Sequence, residues 1–560
     1  MDIYSAPSKQ YLTLLKQFGF QDDRFDLLMV ETLLDSMAKF AEQKLLPANR
    51  VGDEEGVHYD PSTGRVTVPP VFHDLYEEYK SQGYASVEGL EQYGGQNFPP
   101  VLVLIMAEFM ASANMAFSLG PMLTPAACQA INFSGSDAQK SYYLPKMYSG
   151  NWSGTMCLTE SHCGTDLGLI KTKAVPAKDG YKITGNKIWI TYGEHDLTEN
   201  IIHLVLAKLP DAPSGSKGIS MFIVPKFLDD GSKNNVICTG LEKKLGQHAS
   251  PTCFMSFDNA QGYLLGKPNQ GMKNMFVMMN EARIGVGVSG LAMAEIAYQT
   301  ACAFCRDRRQ SRSLNPKKID MNHTSDCILV HPDVRRQLLE IKSTNIPMRA
   351  WVVYAGLLLS SDDKKDKARV SLFTPMIKSY LSDRGCVNIG HAMQVIGGSG
   401  YVKDWRIEQY FRDARISMIY EGTNGIQALD LVGRKLVKDG GASMRDLLAD
   451  MRSAAQVCAI TDLSTGLSKA CDDLQQASLW LMQHTSADHE QAAAVATDYL
   501  QLSSLVVLAF MWSKILKSDD KDSLDSCLYF IHHVLPETEI YLHRIRHGKK
   551  YISDIDAASF

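Results

Sequence analysis

The sequence predicts an α+β chain: an N-terminal helical domain (residues 1–154), a β domain built as a barrel or sandwich (155–272), a C-terminal helical bundle (273–438) and an extra helical domain (439–560). Three observations carry this reading. Apolar residues recur at helical spacing through roughly the first 150 residues. Seven short runs rich in β-branched and aromatic residues follow between Thr155 and Phe257, separated by Gly, Pro, Asn and Asp. Helical spacing returns after Gly271 and continues to the end. At 560 residues the chain has room for several domains, since single cores rarely grow beyond about 250–300 residues.

In order along the chain, Phe25, Leu28, Met29, Leu33, Met37, Phe40 and Leu45 predict a helix over 24–46 that Pro47 ends. Residues 49–70, with Gly52, Gly56, Pro61, Gly64, Pro69 and Pro70, read as a long turn-rich excursion. Helices follow over 71–82, 101–117 and 126–133. The β runs are 155–160, 172–175, 181–183, 187–191, 201–206, 219–224 and 253–257, which argue for an antiparallel barrel or sandwich. The next helix covers 276–308, where Gly285, Gly287 and Gly290 leave space for a close neighbour. Two more cover 333–359, bent at Pro347, and 369–394. Residues 311–328 are polar and irregular, and the charge run 362–367 reads as a solvated loop. Beyond Gly440 and Gly441, helical pattern over 444–515 and 522–546 forms an extension without a catalytic motif, expected to pack on this subunit or a neighbouring one.

A net charge of -5 and a pI near 6.3 give no support for nucleic acid or an anionic membrane as partner. The 12 cysteines are scattered, and the lone CxxC, Cys302 and Cys305, sits in a helical pattern and reads as packing, so no metal site is expected. The N-terminus lacks the basic and apolar regions of a signal peptide. The most apolar C-terminal piece, 500–512, is broken by Gln501 and two serines and is shorter than the roughly 20 residues of a membrane span. A soluble protein with reduced thiols, in a cytoplasm and with no membrane span, is the expectation.

Residues 416–427 read ISMIYEGTNGIQ, which sets Glu421 after an apolar run and before Gly422, Thr423 and Gly425. Such a carboxylate is poorly solvated, so its pKa should rise into the range of a general base. The plainer alternative is an acidic residue at the start of a helix, favoured by the dipole. Upstream stand QVIGGSGY at 394–401 and YFRDAR at 410–415. The whole segment 394–427 resembles the C-terminal signature of the acyl-CoA dehydrogenases, in which the glutamate of IYEGT is the base. MCLTESHCGTD at 156–166 resembles the family's LTE and GSD loop, KIWIT at 187–191 its WIT strand, and EQYGGQ at 91–96 its YGG turn.

The resemblance implies the acyl-CoA dehydrogenase fold and FAD as cofactor, and it assigns residues. Leu158 and Thr159 would meet the flavin pyrimidine side, Trp189 would cover the ring, and Thr191 would reach N5. For Trp189 a barrel core tryptophan, and for Thr191 a strand-end hydroxyl, are the alternatives. Thr165, where the family has serine, would lie near flavin and thioester, and Ser161 replaces a usual proline. Arg308 and Gln310 match the family's ERxxFG arginine and its surroundings, with Ser311 and Arg312 replacing the aromatic and glycine. Gln394, Gly397 and Gly398 match QxxGG. Both sets reach the FAD of an adjacent subunit in the family, which implies a homo-oligomer, dimer or tetramer. Thr423 and Gly425 would also lie near FAD. Arg283, in NEAR at 280–283, Tyr420 and Gly422 would bind the acyl-CoA, an ion pair with Glu281 being the alternative for Arg283. No GxGxxG follows a strand, which argues against a Rossmann route to a dinucleotide.

Within the family, GEHDLTEN at 193–200, LPDAP at 209–213, QHASPT at 247–252 and the extension resemble the longer bacterial 3-(methylthio)propanoyl-CoA dehydrogenases of dimethylsulfoniopropionate breakdown. This implies oxidation of a short or medium acyl-CoA to a trans-2-enoyl-CoA, with electrons passed to an electron-transfer flavoprotein. An acyl-CoA oxidase and a non-catalytic flavin-binding scaffold of the same fold stay open as alternatives.

Overall fold

The computed structural model describes residues 3–516 and 520–560, with the backbone alone of Asn280 and Glu281. The chain divides into two compact units, one of Lys39–Pro99 and Ala113–Ala282, the other of Met1–Ala38, Pro100–Ser112 and Arg283–Phe560.

The first unit carries the sheet. Its strands are β1 (Trp152–Cys157), β2 (Lys173–Ala177), β3 (Gly180–Thr191), β4 (Asn200–Lys208), β5 (Ile219–Pro225), β6 (Val236–Leu241) and β7 (Thr252–Leu265). They pair in the order β1-β4-β2-β3-β7-β5, β5 pairs back onto β4, and β6 adds to β7. The ring therefore closes as a barrel. It is mixed rather than antiparallel throughout, because β4 runs parallel to both β1 and β2. β4 and β5 are buried along nearly their whole lengths. One face, with Leu204, Leu206, Met221 and Ile223, packs on Ile131, Leu144 and Met147, while the other, with Val205, Ala207, Phe222 and Val224, joins Ile183 and Phe257. Apolar residues on both faces explain why these strands read as continuous hydrophobic runs.

Five expectations need correcting here. The runs at 181–183 and 187–191 are one strand, β3, whose register shifts between Ile183 and Gly185 and again between Lys187 and Ile190. β6, broken in sequence by Thr239 and Gly240, was not expected. Pro47 does not end its helix: Leu27–Phe40 passes through a π turn, Ala41–Leu45, into Leu46–Glu55. The wider turn opens the hydrogen-bond ladder where proline supplies no N–H. The turn-rich excursion shrinks to a hairpin of His58–Asp60 and Arg65–Thr67. The helix Asp137–Tyr148, set by a reciprocal Ser136 and Gln139 capping box, was also missed.

The second unit is helical. Besides most of Leu27–Phe40, its helices include α1 (Ser8–Gln17), α2 (Pro100–Ala113), α3 (Gly271–Asp307, in this unit from Arg283), α4 (Pro332–Leu359), α5 (Lys364–Ile396), α6 (Ile407–Ala414) and α7 (Asn424–Asp430). The extension adds α8 (Ala442–Val457), α9 (Thr461–Thr485), α10 (His489–Ile515), α11 (Lys521–Tyr529) and α12 (Glu537–His547). The glycines of α3 do what their spacing predicts. A Cβ on Gly287 would lie 2.7 Å from the Ile377 carbonyl, and one on Gly290 2.5 Å from that of Leu381, so α3 and α5 meet backbone to backbone.

The charge run 362–367 is not a free loop. Asp363 accepts from the Lys365 and Asp366 N–H groups and caps α5, so the run forms the exposed first turn. Residues 311–328 are tied together by Asp326, which accepts from the backbone of Ser313 and Asp320 and from Arg312. The apolar stretch 500–512 belongs to α10, whose 27 residues are long and apolar enough to cross a membrane, but 78% of its most apolar window is buried within the protein. It packs on α4, α5, α7 and α9 as the central helix of the extension. All 12 cysteines are free, Cys302 and Cys305 among them.

Candidate active site

After α6 the chain makes a tight turn over Arg415–Met418, and then Glu421 and Gly422 both adopt left-handed backbone, with φ of 57° and 85°. For a glutamate this conformation costs about 1–2 kcal/mol, the kind of strain that surrounding structure must hold in place. The holding groups are visible. Gln427, buried on α7, donates from Nε2 to the carbonyls of Glu421 and Gly422, each at 3.2 Å. Arg283 Nε donates to the Glu421 carbonyl at 3.4 Å. Thr423 caps α7 by accepting from the Ile426 N–H at 3.3 Å.

The Glu421 side chain is half-buried. Burial pushes its pKa above the ordinary carboxylate value, and Arg283 and Lys378 pull against that rise. Its own backbone N–H donates to no acceptor among the described residues, and neither does the buried Tyr420 hydroxyl have a partner there. Arg283 is buried too; burial lowers its pKa, with Asp430 and Glu421 opposing. Sequence reasoning missed Lys378, a fully buried lysine on α5 whose pKa burial pulls to about 8, with Asp383 and Glu421 pushing it back up. Its Nζ donates to Asn424 Oδ1 at 2.8 Å. The only hint in sequence was a cation inside an otherwise apolar stretch of helix.

Gly422 is the residue here that cannot change. A Cβ at its φ would sit 2.7 Å from Gln427 Nε2, the atom that pins the Glu421 carbonyl. Gly422→Ala is expected to lower kcat by about tenfold or more, the equivalent of ~1.4 kcal/mol of misplacement, measured beside Tm to confirm an intact fold.

The remaining residues of this unit lie outside that hydrogen-bonded group. Arg308 and Gln310 are exposed at and just beyond the end of α3, where Gln310 is fixed by its backbone to Asp326 and His331. Gln394, Gly397 and Gly398 are exposed at the end of α5, and a Cβ on either glycine would meet open space, as would be needed beside a ligand. Gly425 is exposed on α7. The side chain of Glu281, the alternative partner of Arg283, lies outside the described residues.

In the barrel unit the two motif stretches come together. The Ile188 N–H donates to the Thr159 carbonyl at 3.0 Å, and Lys187 Nζ reaches the Leu158 carbonyl at 2.9 Å. Lys187 also pairs with Glu160 at 2.9 Å, and Glu160 accepts from the backbone of Lys171 and Thr172 and from the Thr172 hydroxyl. Burial opposes the Glu160 charge, but Lys187 and these donors hold its pKa below the usual carboxylate value. Glu160 and Lys187 were not expected as site residues. They lock the loop that presents Leu158 and Thr159, both half-buried. Glu160, His162 and Cys163 each bring a ligand atom within 4.8 Å of the others, but the carboxylate is already engaged by Lys187.

Trp189 is no core tryptophan. It is 56% exposed, left-handed with φ of 59°, and its indole N–H donates to Glu242 at 2.9 Å. Thr191, the last residue of β3, is half-buried, and Thr165 is exposed. An exposed indole, half-buried Leu158 and the hydroxyls of Thr159 and Thr191 are the residue types that would suit the apolar wall and donors of an isoalloxazine.

Four family models match: acyl-CoA dehydrogenase N-terminal domain (residues 30–151), middle domain (155–260) and C-terminal domain (269–436), and acetyl-CoA dehydrogenase C-terminal like (442–556). The chain is 41% identical over 436 residues, 76% of its length and 73% of the relative's, to the 3-methylmercaptopropionyl-CoA dehydrogenase of Ruegeria pomeroyi. The chain belongs to the acyl-CoA dehydrogenase family. A butyryl-CoA dehydrogenase of Syntrophomonas wolfei is 35% identical over 453 residues, covering 77% of this acyl-CoA dehydrogenase and 73% of the relative. Two solved structures share the fold along nearly the whole chain. Caenorhabditis elegans ACDH-11 in complex with C11-CoA superposes with a TM-score of 0.81 at 17% identity, over 99% of this chain and 96% of that one. An acyl-CoA dehydrogenase complexed with FAD from Bacillus anthracis gives 0.74 at 20% identity, over 97% and 92%. The extension is thus part of a longer form of the acyl-CoA dehydrogenase fold.

Proposed function

We propose that this acyl-CoA dehydrogenase is FAD-dependent and converts a short or medium acyl-CoA to its trans-2-enoyl-CoA, with 3-(methylthio)propanoyl-CoA a candidate substrate and an electron-transfer flavoprotein the acceptor. The observation that carries it is Glu421, an acid in strained backbone whose pKa is raised by burial. A carboxylate so placed takes the α-proton of the thioester. Its free backbone N–H is placed to hydrogen-bond the thioester oxygen, which acidifies that proton by stabilising enolate charge. Arg283, Tyr420 and Gly422 would bind the acyl-CoA, and the family resemblance assigns Thr165 to it as well.

FAD, when bound, supplies the hydride acceptor. Leu158, Thr159, Thr165, Trp189 and Thr191 would hold its flavin end, and the family resemblance assigns Thr423 and Gly425 to the cofactor too. Arg308, Gln310, Gln394, Gly397 and Gly398 would hold the cofactor of a neighbouring subunit in a homo-oligomer. The division into 1–154, 155–272, 273–438 and 439–560 is supported by the limits of the family models, which fall at 151/155, 260/269 and 436/442.

The test is anaerobic bleaching of the flavin-loaded enzyme against a panel of acyl-CoAs that includes butyryl-CoA and 3-(methylthio)propanoyl-CoA. Bleaching by one or more, with no peroxide on admission of air, is the expected result. Rapid peroxide formation makes the protein an oxidase, and a protein that binds no flavin and ignores every thioester removes the reading.

A further inference from the structure

A polar contact from the extension reaches Asp383 on α5, which holds the residue just after the catalytic turn. Asn424, the first residue of α7 and three positions beyond Glu421, sits between two charges. Its Oδ1 accepts from Lys378 Nζ at 2.8 Å, and its Nδ2 donates to Asp383 Oδ1 at 2.6 Å and to the Ser379 carbonyl at 3.2 Å. A cation on one side and an anion on the other fix which way the amide points. The second Asp383 oxygen accepts from Gln501 Nε2 at 2.9 Å, and Gln501 belongs to α10 of the extension. Around it α10 is apolar, with Leu500, Leu502 and Leu505 all buried, so a glutamine that meets a carboxylate is the exception on that helix.

We infer that Lys378, Asn424 and Asp383 are positioning residues for Glu421, and that Gln501 couples them to the C-terminal extension. This rests on the reading of Glu421 as the base. Among the described residues the titratable groups acting on it are Arg283 from α3, Lys378 from α5 and Tyr420; Asp430 and Arg434 act on Arg283, and Arg415 acts on Asp383. Lys378 sets the field at the carboxylate, Asn424 fixes the start of α7, and Gln501 keeps Asp383 turned toward Asn424. Without Gln501 the half-buried Asp383 loses a donor and can rotate, which frees Asn424 and with it the loop.

The test uses the full-length, flavin-loaded enzyme with butyryl-CoA. Gln501→Leu keeps the volume and removes the donor. It is expected to lower kcat about tenfold, with KM changed less than about twofold. In the ligand-free chain, amide exchange across 419–427 should rise while Tm holds. Lys378→Met should move the acid limb of kcat/KM to higher pH, because the cation favouring the Glu421 carboxylate is gone, and Lys378→Arg should move it back. Wild-type kcat and exchange in Gln501→Leu overturn the inference, as does an unmoved acid limb in a folded Lys378→Met. If Lys378→Met does not fold, Gln501→Leu decides alone. Glu421→Gln separates the two failures: if it keeps turnover, the base assignment is what fails; if it is silent while the limb stays put, only the coupling fails.

Discussion

Glu421→Gln is expected to cut turnover by at least about 10²- to 10⁴-fold, the contribution typical of a positioned base, while leaving a folded, flavin-binding protein that still takes up acyl-CoA. Glutamine matches glutamate in volume, and the contacts that hold the turn go to the main chain: Gln427 and Arg283 both donate to the residue 421 carbonyl. The substitution therefore removes the proton acceptor and little else. Stability should not fall. Burial raises the folded-state pKa of Glu421, so its favourable share of stability is complete below the unfolded value and is lost as pH rises through the folded one. The amide has no such loss, so the variant should match or exceed the wild type above that pH. In the wild type the same raised pKa places the acid limb of kcat/KM above the ordinary carboxylate range. Steady-state rates, acyl-CoA binding and urea melts at several pH values check all three statements. A variant within tenfold of wild-type turnover would show that another group takes the proton.

What could be read from the residues was whatever depends on neighbours in sequence. The α3 glycines predicted the close approach of a helix or a ligand, and α5 is what lies against them, because Gly287 and Gly290 leave no side chain in the way. The LTE and WIT stretches were recognisable as a pair, and the Ile188 to Thr159 hydrogen bond joins them. Tertiary override explains most of the misses. Pro47 sits in an unbroken helical run because a π turn absorbs it, and no residue announces a π turn. The first turn of α5 reads as a loop in sequence because its charges mask the Asp363 cap. The network behind Glu421 was invisible for a different reason. Lys378 and Asn424 are 46 positions apart, and Asp383 and Gln501 118, so each reads alone as an ordinary polar residue on a helix. Only the fold puts them in one hydrogen-bonded line.

The largest effect on stability is expected at a site with no part in the chemistry. Arg349 on α4 is 1% exposed and gathers three other helices. Its Nη2 lies 2.6 Å from Glu108 Oε1 of α2 and 2.9 Å from Glu295 Oε2 of α3, and its Nη1 donates to Gln10 of α1 at 2.7 Å. Tyr11 also donates to Glu108. One guanidinium thus compensates two buried carboxylates, a task its planar fork performs and a lysine would not. Arg349→Met fills the space but strands both acids, so unfolding free energy should fall by about 3–5 kcal/mol, the usual result of removing one partner from a buried ion group. Burial works against the Glu295 charge, yet Arg349 with Gln299 and Asn345 holds its pKa below the normal value. In the wild type that contribution is present above the unfolded carboxylate pKa and lost as pH falls below it. Without Arg349 the Glu295 pKa rises instead, so the gap between variant and wild type should narrow in acid. Adding Glu108→Gln to Arg349→Met should recover part of the loss, because one stranded charge becomes an amide that Tyr11 can still reach. A single variant that loses less than about 1 kcal/mol, or a double variant no better than the single, would mean that solvent or rearrangement neutralises these acids and that Arg349 is not what joins the four helices.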